Sequence, residues 1–270
     1  MSVRWLIVAI VLLTATCGRK GVSVEAPIFS QKLFVTRQAI LGSQQFKYRV
    51  YVPNEINESG RLPVMLYLHG SDERGNDNEG QLSGPAPAIL ANPENFKFII
   101  VFPQCPKGRF WDEEIIHQAI LALDQTVSEF NGDSSKLYLA GFSLGGYGAW
   151  TTAAMYPNKF AAVVPMSGRV MPRPGERKSV APEILRLVDS KEPYLAFAEK
   201  LSSTPIWIFH GANDNIVPVY NSRQMAKALN EAGNINARYT ELENTGHVSL
   251  TAAFNDRELF EWLAYQKLKN

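Results

Sequence analysis

Five short runs in this chain carry apolar side chains at nearly every position: PVMLYLHG (Pro63–Gly70), FKFIIVFP (Phe96–Pro103), KLYLAGFS (Lys136–Ser143), FAAVVPMSG (Phe160–Gly168) and PIWIFHG (Pro205–Gly211). A strand with one wet face alternates apolar and polar residues. A strand without alternation is covered on both faces, as in a parallel sheet flanked by helices. Helical patterns fall between the runs, at about Asp112–Phe130, Gly145–Met155, Tyr220–Glu231 and Ala252–Lys267. This succession predicts one α/β domain with a mostly parallel, doubly wound sheet and flanking helices. Two alternating segments, IFSQKLFVTR (28–37) and FKYRVYVP (Phe46–Pro53), predict antiparallel N-terminal strands, and ARYTELE (Ala237–Glu243) predicts a strand nearer the sheet edge.

The third run ends in GFSLGG, where Gly141, Gly145 and Gly146 surround Ser143. The spacing is Gly-x-Ser-x-Gly, and an apolar strand leads in while a helix pattern leads out, the context of a nucleophile elbow. A chain that turns sharply from strand into helix brings backbones together, so the positions two away on either side must be small. The serine then stands at a helix N-terminus, where the amide of Leu144 is placed to stabilise an oxyanion. As a bare pentapeptide the pattern also fits an ordinary glycine-rich turn, so partners decide its meaning.

A serine hydroxyl needs a base to become a nucleophile at neutral pH. Of the four histidines, His69 and His210 end buried strands, and His117 sits within a helix pattern. His247 lies in ENTGHVSL, a loop between the last strand and the last helix, and is the best placed general base. Asp214, in ANDNIVP just past the fifth run, is the candidate carboxylate that would fix the imidazole tautomer. Taken alone, Asp214 also reads as a turn aspartate. Three such residues, each just beyond its own strand, form a coherent Ser143–Asp214–His247 triad.

The blocks LHGSDERGNDNEGQ, VFPQCPKGRFW, GFSLGGYGAW, PIWIFHGANDNIVPVYNSRQMAKAL and TGHVSLTAAFNDRELFEWL resemble the phospholipase/carboxylesterase-like branch of the α/β-hydrolases. More narrowly they resemble exported proteins described as peptidases or polysaccharide esterases, related to feruloyl esterases and polyhydroxybutyrate depolymerases. The resemblance runs from about Gln44 to Tyr265 and includes the order Ser, Asp, His. It implies that Ser71, after the His-Gly strand end, supplies the second oxyanion amide. The chain departs from the family at Asp72, where glycine is frequent, and at Val248-Ser249-Leu250, where the family often has Asp-Ser-Trp. Both departures bear on the substrate mouth and leave the triad intact.

Gln104 and Trp111 follow the second run and are candidates to line a substrate pocket; core packing is the other reading of Trp111. Residues 169–203, with several prolines and one or two short amphipathic helices, predict a cap-like insertion or a peripheral excursion. No histidine or cysteine cluster has metal-ligand spacing and no Gly-x-Gly-x-x-Gly follows a strand, so neither metal nor nucleotide cofactor is implied. A net charge of +1 over 270 residues, with no basic block, argues against nucleic acid as a partner.

The first 17 residues hold Arg4, then an apolar run from Trp5 to Leu13, and end in small residues and Cys17, which reads as an export signal. The run is shorter than the roughly 20 residues of a membrane span. Cys17 in LTATC leaves two outcomes open, plain cleavage or a lipidated cysteine that attaches the chain to a membrane. Residues 18–27 read as a linker and 28–270 as the domain. The expected protein is therefore exported, to the periplasm, cell envelope or medium. Its expected activity is that of a serine hydrolase acting on small-molecule or polysaccharide esters. A serine peptidase of the same fold and a non-catalytic surface binding protein on a hydrolase scaffold are the alternatives.

Overall fold

A computed structural model describes residues 33–53 and 60–268. The expected signal, Cys17 and the linker lie outside the described residues. The chain order is β1 (Phe34–Leu41), β2 (Gln44–Tyr51), β3 (Val64–Leu68), α1 (Ala86–Ala91), β4 (Ile99–Pro103), α2 (Glu113–Glu129), β5 (Leu137–Phe142) and α3 (Leu144–Met155), then β6 (Ala162–Met166), α4 (Pro182–Val188), α5 (Pro193–Lys200), β7 (Ile206–Gly211), α6 (Tyr220–Glu231), β8 (Ala237–Leu242), α7 (Leu250–Asn255) and α8 (Arg257–Tyr265). The strands form one eight-stranded sheet in the order β1-β2-β4-β3-β5-β6-β7-β8. β1 and β2 pair antiparallel, β2 runs antiparallel to β4, and from β4 onward all pairs are parallel.

The unalternated strands are buried on both faces, as their sequence requires. Along β3, Val64, Leu66 and Leu68 enter one core cluster while Met65 and Tyr67 enter the other. The first cluster holds the buried residues of α2 to α6, including Trp150, Phe197 and Met225; the second holds those of α1, α7 and α8, including Ile89, Phe254 and Leu263. β8, the last strand at its edge, is only half-buried.

The structure differs from the sequence reading at two places. The final helix pattern is two helices, because the Asp256 side chain accepts from the Glu258 amide and starts α8 afresh. α1 is a six-residue helix, too short for a periodic signal. Residues 169–203 carry α4 and α5 into the helix layer, with Val180, Ile184 and Phe197 buried in the main core. Arg169 anchors the start of this segment by a half-buried ion pair to Glu176, and its guanidinium lies 4.2 Å from the centroid of the Tyr147 ring.

Candidate active site

The C-terminal ends of β3, β5 and β7, with the loop after β8, bring the chemistry-bearing residues together. Ser143 follows β5 with φ 56° and ψ −113°, a left-handed backbone unusual for serine and the mark of a strained elbow. Crowding explains the flanking glycines. A methyl group on Gly141 would lie 2.1 Å from the Gly145 carbonyl oxygen, and one on Gly145 would lie 1.8 Å from the Leu68 carbonyl oxygen. Helix α3 therefore starts in backbone contact with the end of β3. The amide of Leu144, the first residue of α3, has no acceptor within its own helix.

Asp214 sits in a turn whose carboxylate Oδ1 accepts from the amides of Ile216 and Val217, at 2.9 Å each. Its Oδ2 lies 2.7 Å from His247 Nδ1, and His247 Nε2 lies 2.8 Å from Ser143 Oγ. With Nδ1 donating to the carboxylate, Nε2 is bare and accepts from the serine hydroxyl. Burial pushes the Asp214 carboxyl up, but the hydrogen bond from His247 and the two backbone amides outweigh it and hold the group below its ordinary value. The array can take a proton from the hydroxyl onto an imidazole and stabilise the resulting cation. The loops carrying acid and base are joined through their backbones: the Asn213 amide donates to Thr245 O, and a methyl group on Gly211 would lie 2.0 Å from Gly246 O. The ring of Phe142 lies 5.1 Å from that of His247.

Ser71 lies beside this array, because a methyl group on the preceding Gly70 would be 3.5 Å from Ser143 Cβ. Buried His69 braces that turn: its Nδ1 lies 2.7 Å from Gly70 O, and its Nε2 accepts from the Cys105 amide at 2.9 Å. Burial lowers the His69 pKa to about 4, so the ring is neutral.

The two pocket candidates part ways. Trp111 is wholly buried; its Nε1 donates to His69 O, and its ring packs where Gly148 leaves room, so it belongs to the core and does not line a substrate pocket. Gln104 spends its amide on the 73–80 loop: Nε2 donates to Asp77 Oδ1 and Glu73 O, and Oε1 accepts from the Asn78 amide. It borders a polar cleft of about 540 Å³ shared with Gln44, Asn76 and Arg109. Burial pushes the Cys105 thiol up to about 12, which leaves it unreactive. His117 is exposed on α2 against Tyr156.

Sequence reasoning passed over two neighbours of the site. Glu73 turns one carboxylate oxygen toward Gly70 and the other toward Gly84; burial raises its pKa. His210 touches Asp214 Oδ2 at 3.1 Å. The only hint of either was a carboxylate four residues after a strand-end histidine. Among the described residues no group of three or more His, Cys, Asp and Glu is arranged to hold a metal ion, and no helix is long and apolar enough to cross a membrane.

Comparison with known proteins places the chain among hydrolases. The sequence profile of the prolyl oligopeptidase family matches residues 109–268. A bifunctional acetylxylan esterase/xylanase of Neocallimastix patriciarum is 29% identical over 175 residues, covering 62% of this chain and 21% of that protein. A probable acetylxylan esterase A of Aspergillus terreus is 32% identical over 133 residues, covering 44% of this chain and 42% of that one. The chain thus spans less than half the length of these two relatives. The crystal structure of a thermostable esterase superposes with a TM-score of 0.73 at 28% identity, over 87% of this chain and 64% of that one. The α/β-hydrolase resemblance read from the sequence holds, on its esterase-like side.

Proposed function

The chain belongs to the prolyl oligopeptidase family of α/β-hydrolases, and from that premise we propose that it is an exported serine esterase cleaving acyl groups, such as acetyl, from a polysaccharide. The observation that carries the reading is the unbroken chain of short contacts from Ser143 Oγ through His247 to Asp214. Ser143 attacks the ester carbonyl as His247 Nε2 takes its proton. The Leu144 and Ser71 amides hold the oxyanion, and His247 returns the proton to the leaving alcohol. Water then repeats the sequence on the acyl-enzyme. Likeness to acetylxylan esterases favours a carbohydrate-linked ester, and the apolar N-terminal stretch favours export, with Cys17 as the site of an optional lipid anchor.

Wild type and Ser143→Ala assayed on p-nitrophenyl acetate and acetylated xylan test this. Ser143→Ala is expected to lose on the order of 10⁵-fold in kcat while keeping its fold. It should also lose fluorophosphonate labelling. Retained turnover in that variant would refute the assignment. The family's name makes amide hydrolysis the second reading, and kcat/KM for p-nitrophenyl acetate against an acetyl peptide anilide separates the two.

A further inference from the structure

A second histidine lies against the same carboxylate. His210, near the end of β7 and fully buried, places Nε2 2.9 Å from Val217 O and 3.1 Å from Asp214 Oδ2, and Nδ1 2.7 Å from Ser222 Oγ. Two acceptors face Nε2, so that nitrogen carries the hydrogen. Nδ1 is then bare and accepts from the Ser222 hydroxyl. Burial lowers the His210 pKa against the opposing pull of Val217 O and Asp214, and the ring is neutral. Asp214 therefore accepts from two amides on Oδ1 and from His247 on Oδ2, and the single Nε2–H of His210, which donates to Val217 O, has Oδ2 as an oblique second neighbour at 3.1 Å.

We propose that His210 is a positioning residue for the acid–base pair: its Nε2–H, aimed by Ser222 and shared between Val217 O and Asp214 Oδ2, fixes the 214–217 turn so that Oδ2 stays in line with His247, and limits the negative charge that oxygen presents to it. The proposal rests on the esterase reading. It goes beyond that reading by giving the Asp214–His247 pair a fixed second donor. His210 touches none of the reacting atoms, so its loss acts through orientation and through the basicity of His247. Without the donor, Asp214 is a stronger acceptor and His247 a stronger base. The charged and titratable groups around His210 are Asp214, His247 and, beside it on β8, Glu241, which is paired with Arg223.

The test is kcat and KM for p-nitrophenyl acetate from pH 4 to 9 in wild type, His210→Leu, His210→Gln and Ser222→Ala. His210→Leu is expected to lose about 10- to 100-fold in kcat with KM within about twofold, and its acid limb should move to higher pH. His210→Gln, which keeps an N–H near the Nε2 position, should recover most of the loss, with Ser222→Ala in between. A folded His210→Leu protein with wild-type kcat and an unmoved acid limb overturns the proposal. If His210→Leu does not fold, ¹⁵N spectra of the wild-type histidines decide: a neutral Nε2–H tautomer at pH 7 supports it, and the opposite tautomer or a charged ring overturns it. Failure of the esterase reading looks different. Wild type would then turn over no ester and take no fluorophosphonate, while the spectra would still report His210.

Discussion

Two buried strands of the sheet end in the same dipeptide. Leu68-His69-Gly70 closes β3 and Phe209-His210-Gly211 closes β7, both rings are buried, and burial keeps both neutral. Each is followed four residues later by a carboxylate, Glu73 or Asp214. Their partners differ. His69 bonds to main chain on both nitrogens, bracing the turn that carries Ser71, and Glu73 swings away to Gly70 and Gly84. His210 bonds to Ser222 and reaches the carboxylate that grips His247. One local signal yields a clamp on backbone in one case and a support for a charged side chain in the other. What decides is where the following turn sends its carboxylate: Asp214 folds over the Ile216 and Val217 amides and faces His247, and Glu73 turns back on the amides of Gly70 and Glu73.

The largest expected effect sharpens this contrast at the β7 end. Asp214→Asn should leave the fold intact and lower kcat by about 10³-fold or more, since the amide favours the wrong imidazole tautomer. Steady-state kinetics with a circular dichroism control measures it, and a fall of less than tenfold would dissolve the functional difference between the two ends. At the β3 end the cost should appear in stability. His69→Leu strands Gly70 O and the Cys105 amide, and urea unfolding should register a loss of about 2–4 kcal/mol.

Acid should act on the same clamp. His69 titrates at about 4 when folded, against 6.5 as its ordinary value. The unfolded chain therefore binds more protons between these values, and stability falls as pH drops through them, by about 3 kcal/mol from this residue. Unfolding midpoints at pH 7 and 4 should show a flatter pH dependence in His69→Leu than in wild type. The smallest effect belongs to Glu73. Its raised pKa means that its contribution to stability is present below the ordinary carboxylate range and is lost as pH rises through the folded value. Glu73→Gln should therefore melt higher than wild type at pH 8 and equal it at pH 4, and a variant less stable at both would show that the ionised carboxylate is needed.

Much of this was legible in the chain. The covered strands announced themselves by failing to alternate, and Ser143, Asp214 and His247 by standing just past strand ends, where a side chain is free of the sheet. Trp111 kept two readings open, of which core packing holds, because an aromatic after a strand looks the same whether it faces a ligand or fills the gap above Gly148. His210 and Glu73 were unreadable for a related reason. A strand-end histidine declares its burial, but the direction of its hydrogen bonds is set by Ser222 and Val217, which arrive from the next turn and helix. Residues 169–203 read as one or two short helices, but helices of seven and eight residues leave too few turns to show which face enters the core.

The backbone seam between the 211–214 and 245–247 segments has a consequence for adaptability. Proton donor and counter-ion travel as a single rigid piece, so evolution cannot retune their spacing by lengthening one loop alone. A change in their spacing needs both segments to alter together, in compensating steps.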